Sequence, residues 1–308
     1  MLRILVLGSA AGGGYPQWNS NSESCNKARR GEAQARTQSS LAVTADGERW
    51  FLLNASPDLR QQINDHPDLH PRHGIRHSPI VGVILTNADV DHVVGLLTLR
   101  ESQPLAVYGS ELVLSALARN NIFDVLNPES VERRPLCPEK PFEPRTRDGT
   151  PVGLRVEAFD VPGKVALYLE DPAAGKGFGT KPGDTIGLKV SHVRSGRSFF
   201  YIPGCAAMPD NLAKRLREAE LVFFDGTLFR NDEMIACGEG TKTGERMGHM
   251  SMSGPSGVMA AFAGLNVKRR VFIHINNTNP VLLDDSPERR EVDRAGWEVA
   301  WDGMTIEL

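Results

Sequence analysis

The feature that most constrains this chain is a series of ten short apolar runs. They are RILVLG near residue 3, SSLAVTA near 40, RWFLLNA near 50, VGVILT near 82, PLAVYG near 105, GLRVEAFDV near 155, TIGLKVSH near 187, SFFYIPG near 200, LVFFDG near 222 and RVFIHI near 272. Runs this short, rich in β-branched and aromatic residues and closed by glycine or polar residues, predict strands rather than buried helices. Helical segments lie between them. SELVLSALARNN starts with Ser110 as a cap, PDNLAKRLREAE has Pro209 and Asp210 at its start, and SGPSGVMAAFAGL and SPERREVDRAG read the same way. Strands outnumber helices by about two to one and gather in two halves, one ending near residue 110 and the other running from about 150 to 275. That pattern predicts two sheets face to face with helices outside, a four-layer α/β sandwich and not a doubly wound sheet. The stretches 127–151 and 170–184 read as an exposed connection and a flexible loop. No tandem repeat interrupts this plan.

The residues at the strand ends carry the chemistry. LLN leads to Asn54, ILT to Asn87, Asp89, Asp91 and His92, YIPG to Cys205, VFFDG contains Asp225, and VFIHI contains His274. Polar, metal-competent residues at strand C-termini gather along one rim, where α/β proteins place their ligands. Asp89 or Asp91 would cap a helix beginning near His92. Capping accounts for one carboxylate, however, and not for two with an adjacent imidazole, which points to a metal or catalytic site. His66, His70, His73 and His77 lie among prolines and arginines, and their spacing fits no zinc motif. GSAAGGGYPQW lacks the spacing of a nucleotide-binding loop, so its glycines are expected to turn the backbone beside the site.

The 308 residues suffice for one large domain, and a formal net charge of −3 without a basic run argues against nucleic acid or an anionic membrane as partner. No apolar segment approaches the length of a membrane span. ILVL near the N-terminus is too short for the apolar region of a signal peptide. Cys25, Cys137, Cys205 and Cys237 are far apart in a large chain, so reduced thiols and a cytoplasmic location are expected.

The strings LGSAAGGGYPQWN, ARTQSSLAV, NASPDLR, DHVVGLLTLRE, DGTLFRNDEM, GTKTGERMGHM, VFIHINNTNP, SPER and DGMTIEL run through essentially the whole chain. On these strings it resembles the pyrroloquinoline quinone (PQQ) biosynthesis protein B family, a divergent branch of the metallo-β-lactamase superfamily. The resemblance implies a metallo-β-lactamase-like αββα sandwich, with residues 1–308 as a single domain. Where the superfamily has HxHxDH, this chain has Asn87, Asp89, Asp91 and His92, so two histidines are absent and the Asp-His pair survives. His274 matches the late-chain histidine that joins this pair at a metal. The mid-chain histidine has no counterpart beyond Lys164, and Cys205 stands where many relatives place a bridging aspartate. One metal site is therefore expected to be degraded and the other kept. Asp91, His92 and His274 would be the ligands, with Asp89 accessory and Cys205 nearby. His249 sits in a Gly-His context similar to that of a proton donor in the nuclease-like branch. It and Asp225 are expected to manage protons or substrate, although His249 read locally is a loop histidine and Asp225 a turn former.

The resemblance implies a step in PQQ biosynthesis, namely iron- and oxygen-dependent hydroxylation of the tyrosine ring of a peptide-derived Glu–Tyr intermediate, beside other proteins of that pathway. Two imidazoles and a carboxylate suit Fe(II) with open positions for dioxygen and substrate. They suit one catalytic Zn²⁺ equally well. A metal-dependent hydrolase and a carrier that transports PQQ or its precursor are the rival functions. Some relatives carry CxCxxC, a zinc clip associated with dimer formation, where this chain reads NSNSESCN. Ser20 and Ser22 offer no thiolate, so zinc is not expected beside Cys25, and a homodimer would be weaker or built differently.

Overall fold

A computed structural model describes residues 1–308 apart from the side chain of Lys176. In chain order the strands are β1 (Arg3–Gly8), β2 (Ser40–Thr44), β3 (Trp50–Leu53), β4 (Ile80–Ile84), β5 (Leu105–Gly109), β6 (Val131–Pro135) and β7 (Leu154–Asp160). They continue with β8 (Ile186–His192), β9 (Ser198–Ile202), β10 (Leu221–Asp225), β11 (Arg269–Ile273), β12 (Glu298–Val299) and β13 (Thr305–Glu307). One sheet has the order β13-β1-β2-β3-β4-β5-β6 and the other β12-β11-β10-β9-β8-β7. Strands β3 to β6 are parallel, as are β9 to β12, and antiparallel strands complete each sheet.

Alternation along each strand builds the layers. Ile4, Val6, Phe51, Leu53, Ile84 and Tyr108 face a core shared with Phe199, Tyr201, Phe223, Val271 and Ile273 of the opposite sheet. Their neighbours Leu5, Leu7, Trp50, Leu52, Val83 and Val107 face outward onto Leu59, Val113 and Leu117, which belong to the helices Leu59–Asp65 and Glu111–Ala118. On the far side Phe200, Val222, Phe224 and Phe272 meet Leu212, Leu216, Phe262 and Val292, from the helices Asp210–Leu216, Val258–Phe262 and Pro287–Arg294. Period-two alternation with both faces apolar yields helix, sheet, sheet, helix. Ser110 caps its helix as expected, accepting from the Val113 N–H, and no described helix is long and apolar enough to cross a membrane.

Three expectations are corrected. The stretch 127–151 is not wholly a connection, because β6 runs parallel to β5 within it. Only Val131 of β6 is buried; charged residues suit an edge strand and hide it from an apolar reading. The two halves do not hold every strand either, since β12 and β13 follow residue 275 and β13 returns to pair with β1. Among the described residues nine α-helices accompany the thirteen strands, and those of four or five residues are too short to show a periodic pattern.

The segment after β4 is set by one close approach. Ala55 N–H donates to His92 O at 2.7 Å, and Gly95 N–H donates to Ala55 O at 2.9 Å. A β-carbon on Gly95 would lie 2.1 Å from Ser56 O, so only glycine lets the two backbones meet. Gly95→Ala should destabilise the fold by about 1–3 kcal/mol in urea melts and lower the metal content of the purified protein. A wild-type melt with full metal occupancy would show that this contact does not set the turn.

Candidate metal centre

Asp91 and His92 follow β4 of one sheet, while Asp225 ends β10 and His274 follows β11 of the other. The loop after β1 joins them. Ala11 N–H donates to Ile275 O at 2.8 Å and Ile275 N–H to Ser9 O at 2.9 Å. The glycine turn does lie beside the site, because a β-carbon on Gly12 would sit 3.4 Å from Asp91 Oδ2. Strand ends from both sheets thus meet at one rim. Asp91, His92 and His274 present donor atoms within 4.8 Å of one another, and so do Asp225, His249 and His274.

The hydrogen bonds decide what each nitrogen offers. Asn87 Nδ2 donates to Asp89 Oδ2 at 3.0 Å, so Asn87 Oδ1 is the acceptor that faces His92 Nδ1 at 2.7 Å. Nδ1 therefore carries the proton, and His92 Nε2 bears a lone pair. That nitrogen is buried with no hydrogen-bond partner. Burial holds the His92 pKa down at about 4, so the lone pair persists at neutral pH. Thr227 Oγ1 lies 2.7 Å from Asp225 Oδ1, its strongest acceptor, and 2.8 Å from His274 Nδ1. With the hydroxyl donating to the carboxylate, it can accept from His274 Nδ1–H, the tautomer that leaves a lone pair on Nε2. Asp91 Oδ2 stands 3.1 Å from that nitrogen. Two acceptors at this separation require a positive charge between them.

The residues therefore fit a divalent cation. A proton meets the same demand in its absence: burial opposes charge on His274, but the Asp91 hydrogen bond and the Asp91, Asp225 and Asp89 carboxylates raise its pKa. Burial would raise Asp91 as well, yet the imidazoles of His92 and His274 keep it below the usual carboxylate range. Asp89 differs. Burial and then the Asp91 charge push it up to about 6, and it joins neither donor set among the described residues. Its side chain makes no capping bond, so the capping alternative is not what the structure shows.

Cys205 also stays outside both donor sets. Its thiol faces Ala207 O at 3.1 Å, burial pushes its pKa up to about 12, and its N–H donates to Asp225 Oδ2 at 2.8 Å. His249 is drawn into the site, where Asp225 Oδ2 lies 2.7 Å from its Nδ1. Asp225 is thus both a strand-end turn former and the partner that orients His249. The four histidines His66, His70, His73 and His77 lie apart from both sets, half-buried or exposed. Sequence reading missed Asn87 as the group that fixes the His92 tautomer, and it missed Thr227. Its position two residues after Asp225, in DGT, was the available signal. A cavity of about 840 Å³ opens over the rim and is lined also by Lys164, Glu239 and Lys242.

The serines at the lost cysteine positions have other work. Ser22 caps the helix Glu23–Arg29 by accepting from Cys25 N–H at 3.3 Å, and Ser20 Oγ donates to Glu239 Oε1 at 2.9 Å. Cys25 itself is buried. Metal analysis should find no zinc here; zinc retained by a His92→Ala, His274→Ala variant and lost on Cys25→Ala would contradict this. Asn87→Ala releases the His92 tautomer and should weaken metal binding roughly 10–100-fold, measured by chelator competition. Undiminished affinity would mean that the Asn87 contact does not orient the ligand.

Known proteins share this sequence and fold. The β-lactamase superfamily domain model matches residues 49–275. Coenzyme PQQ synthesis protein B from Gluconacetobacter diazotrophicus is 54% identical over 311 residues, covering 99% of each chain. Its namesake from Bradyrhizobium diazoefficiens is 52% identical over 100% of both. The crystal structure of Zn²⁺-bound PqqB from Methylobacterium extorquens has a TM-score of 0.92 and 48% identity over 99% of this chain and 100% of that one. A diphosphatase of the PhnP family shares the fold, with a TM-score of 0.69 at 19% identity over 100% of this chain and 98% of that one. The similarity spans the sequence end to end and includes the two-sheet scaffold. The chain belongs to the coenzyme PQQ synthesis protein B family, has the metallo-β-lactamase fold, and takes part in PQQ biosynthesis.

Proposed function

We propose that this protein is a metalloenzyme of PQQ biosynthesis that hydroxylates the tyrosine ring of a Glu–Tyr intermediate, using Fe(II) and dioxygen. The observation that supports it most is the donor set itself. Asp91, His92 and His274 supply one carboxylate and two imidazoles, which suits non-haem iron with coordination positions to spare. Iron bound there supplies one-electron chemistry with dioxygen. Overall, one oxygen atom enters a ring C–H bond and the other leaves as water, taking two electrons from an external reductant and two protons.

The chain's own residues account for binding, orientation and protons. Asn87 and Thr227 fix the rings of His92 and His274 from behind, so both nitrogens are aimed before any ligand arrives. Asp225 holds His249 through Nδ1 at 2.7 Å. Nε2 of His249 has no protein partner among the described residues and lines the same cavity. His249 is thus placed to carry a proton to or from the substrate, with Asp225 orienting its ring. The cavity volume of about 840 Å³ accommodates a molecule of dipeptide size.

One relative binds Zn²⁺, which keeps a zinc hydrolase as the second reading. Metal exchange separates the two. Iron-loaded protein with reductant should convert the Glu–Tyr intermediate to a dihydroxylated ring with oxygen uptake, and zinc-loaded protein should not. His92→Ala, His274→Ala and Asp91→Ala should each abolish turnover. His249→Asn should keep its iron and lose about 10²–10⁴ in rate. Equal product from zinc and iron proteins under nitrogen would overturn the oxygenase.

A further inference from the structure

The charged side chains of the cavity are Asp89, Asp91, Lys164, Glu239 and Lys242. Four of them are engaged by the protein. Asp89 accepts from Asn87 at 3.0 Å, and Asp91 faces His274 at 3.1 Å. Lys164 is paired with Glu170, which also takes Arg246. Glu239 accepts from Ser20 at 2.9 Å through Oε1 and from Asn277 at 2.7 Å through Oε2. Lys242 is the exception. It is half-buried, it lines the cavity, and it makes no side-chain hydrogen bond or ion pair with any described residue.

We infer that Lys242 binds a carboxylate of the substrate and is a specificity-determining residue of this cavity. The inference rests on the reading of the cavity as the place where the PQQ precursor is held. Of the two acids three residues away, Glu239 already has both oxygens occupied, and Glu245 is exposed and forms no ion pair with Lys242, so the protein itself gives this half-buried lysine no anion. The compensating anion then comes from the ligand. Carboxamides of Gln17, Asn19 and Asn21 line the same space and offer hydrogen bonds to a polar acid. Lysine supplies a point charge, not a bidentate fork, so it accepts a carboxylate at varied angles. At about 840 Å³ the cavity suits a small polycarboxylate.

The test is binding to zinc-loaded full-length protein, with PQQ, a tricarboxylate, and its neutral trimethyl ester as probes in equilibrium dialysis. Lys242→Gln should weaken PQQ binding about tenfold while ester binding and zinc content stay unchanged, and Lys242→Arg should retain most of the affinity. Unchanged PQQ affinity in Lys242→Gln, an equal loss for PQQ and ester, or wild-type protein that binds neither probe would each overturn the inference. Oxygen uptake with the Glu–Tyr intermediate, on iron-loaded samples of the same variants, separates it from the functional reading. Charge-selective binding without hydroxylation keeps Lys242 and removes the oxygenase, whereas hydroxylation with charge-blind binding does the reverse.

Discussion

Strands buried on both faces leave chemistry only one place to go, which is their ends. Ile4, Val6, Phe223 and Ile273 look into the shared core, and their strand neighbours look out onto helices. A charged side chain at any of these positions would be buried without a partner, at a cost the fold could not offset. Parallel strands add direction, because β4, β10 and β11 deliver their C-termini to the same rim. The backbone bonds between Ser9, Ala11 and Ile275 then fasten one sheet's rim to the other's. The donor set depends on that fastening, since Asp91 and His274 belong to different sheets and stand 3.1 Å apart.

Within the rim, geometry and electrostatics act together. Oriented ring nitrogens and a depressed carboxylate are what a divalent cation requires of its ligands, and it displaces the proton that His274 otherwise holds. The groups behind them are arranged to the same end. Asn87 and Thr227 each contact a ring nitrogen on the side away from the shared donor space, and Asp225 answers four donors at once: Cys205 N–H, the Thr227 N–H and hydroxyl, and His249. Without the superfamily's first two histidines, Asp91, His92 and His274 still bring their donor atoms together. Asn87 stands at the first of those positions and orients the His92 ring.

Much of this was legible in the sequence. All ten apolar runs became strands, the helix after Ser110 begins at its side-chain cap, and another begins at Asp210 directly after Pro209. Asp91 and His92 could be named from the polar cluster after the fourth run and His274 from the end of the last, and the family resemblance joined the three. The reading failed where partners replace pattern. The edge strand β6 carries Glu132, Arg133 and Arg134, and its place is fixed by backbone pairing with β5, which leaves no trace in side-chain polarity. Asp89 and Cys205 looked like ligands by type and neighbourhood, but side-chain direction takes Cys205 toward Ala207 O and leaves Asp89 with Asn87.

The sequence by itself determined the layers and the chemical inventory, because period-two burial and strand-terminal polar residues are local properties of the chain. Only the tertiary structure decided which members of that inventory cooperate. Whether His92 offers Nε2 or Nδ1, whether His249 is a loop residue or the partner of Asp225, and whether Lys242 finds an anion within the protein all depend on groups far away in sequence. Hydrogen bonds and charge pairs act over a few ångströms, and folding alone sets which distant residues fall within that range.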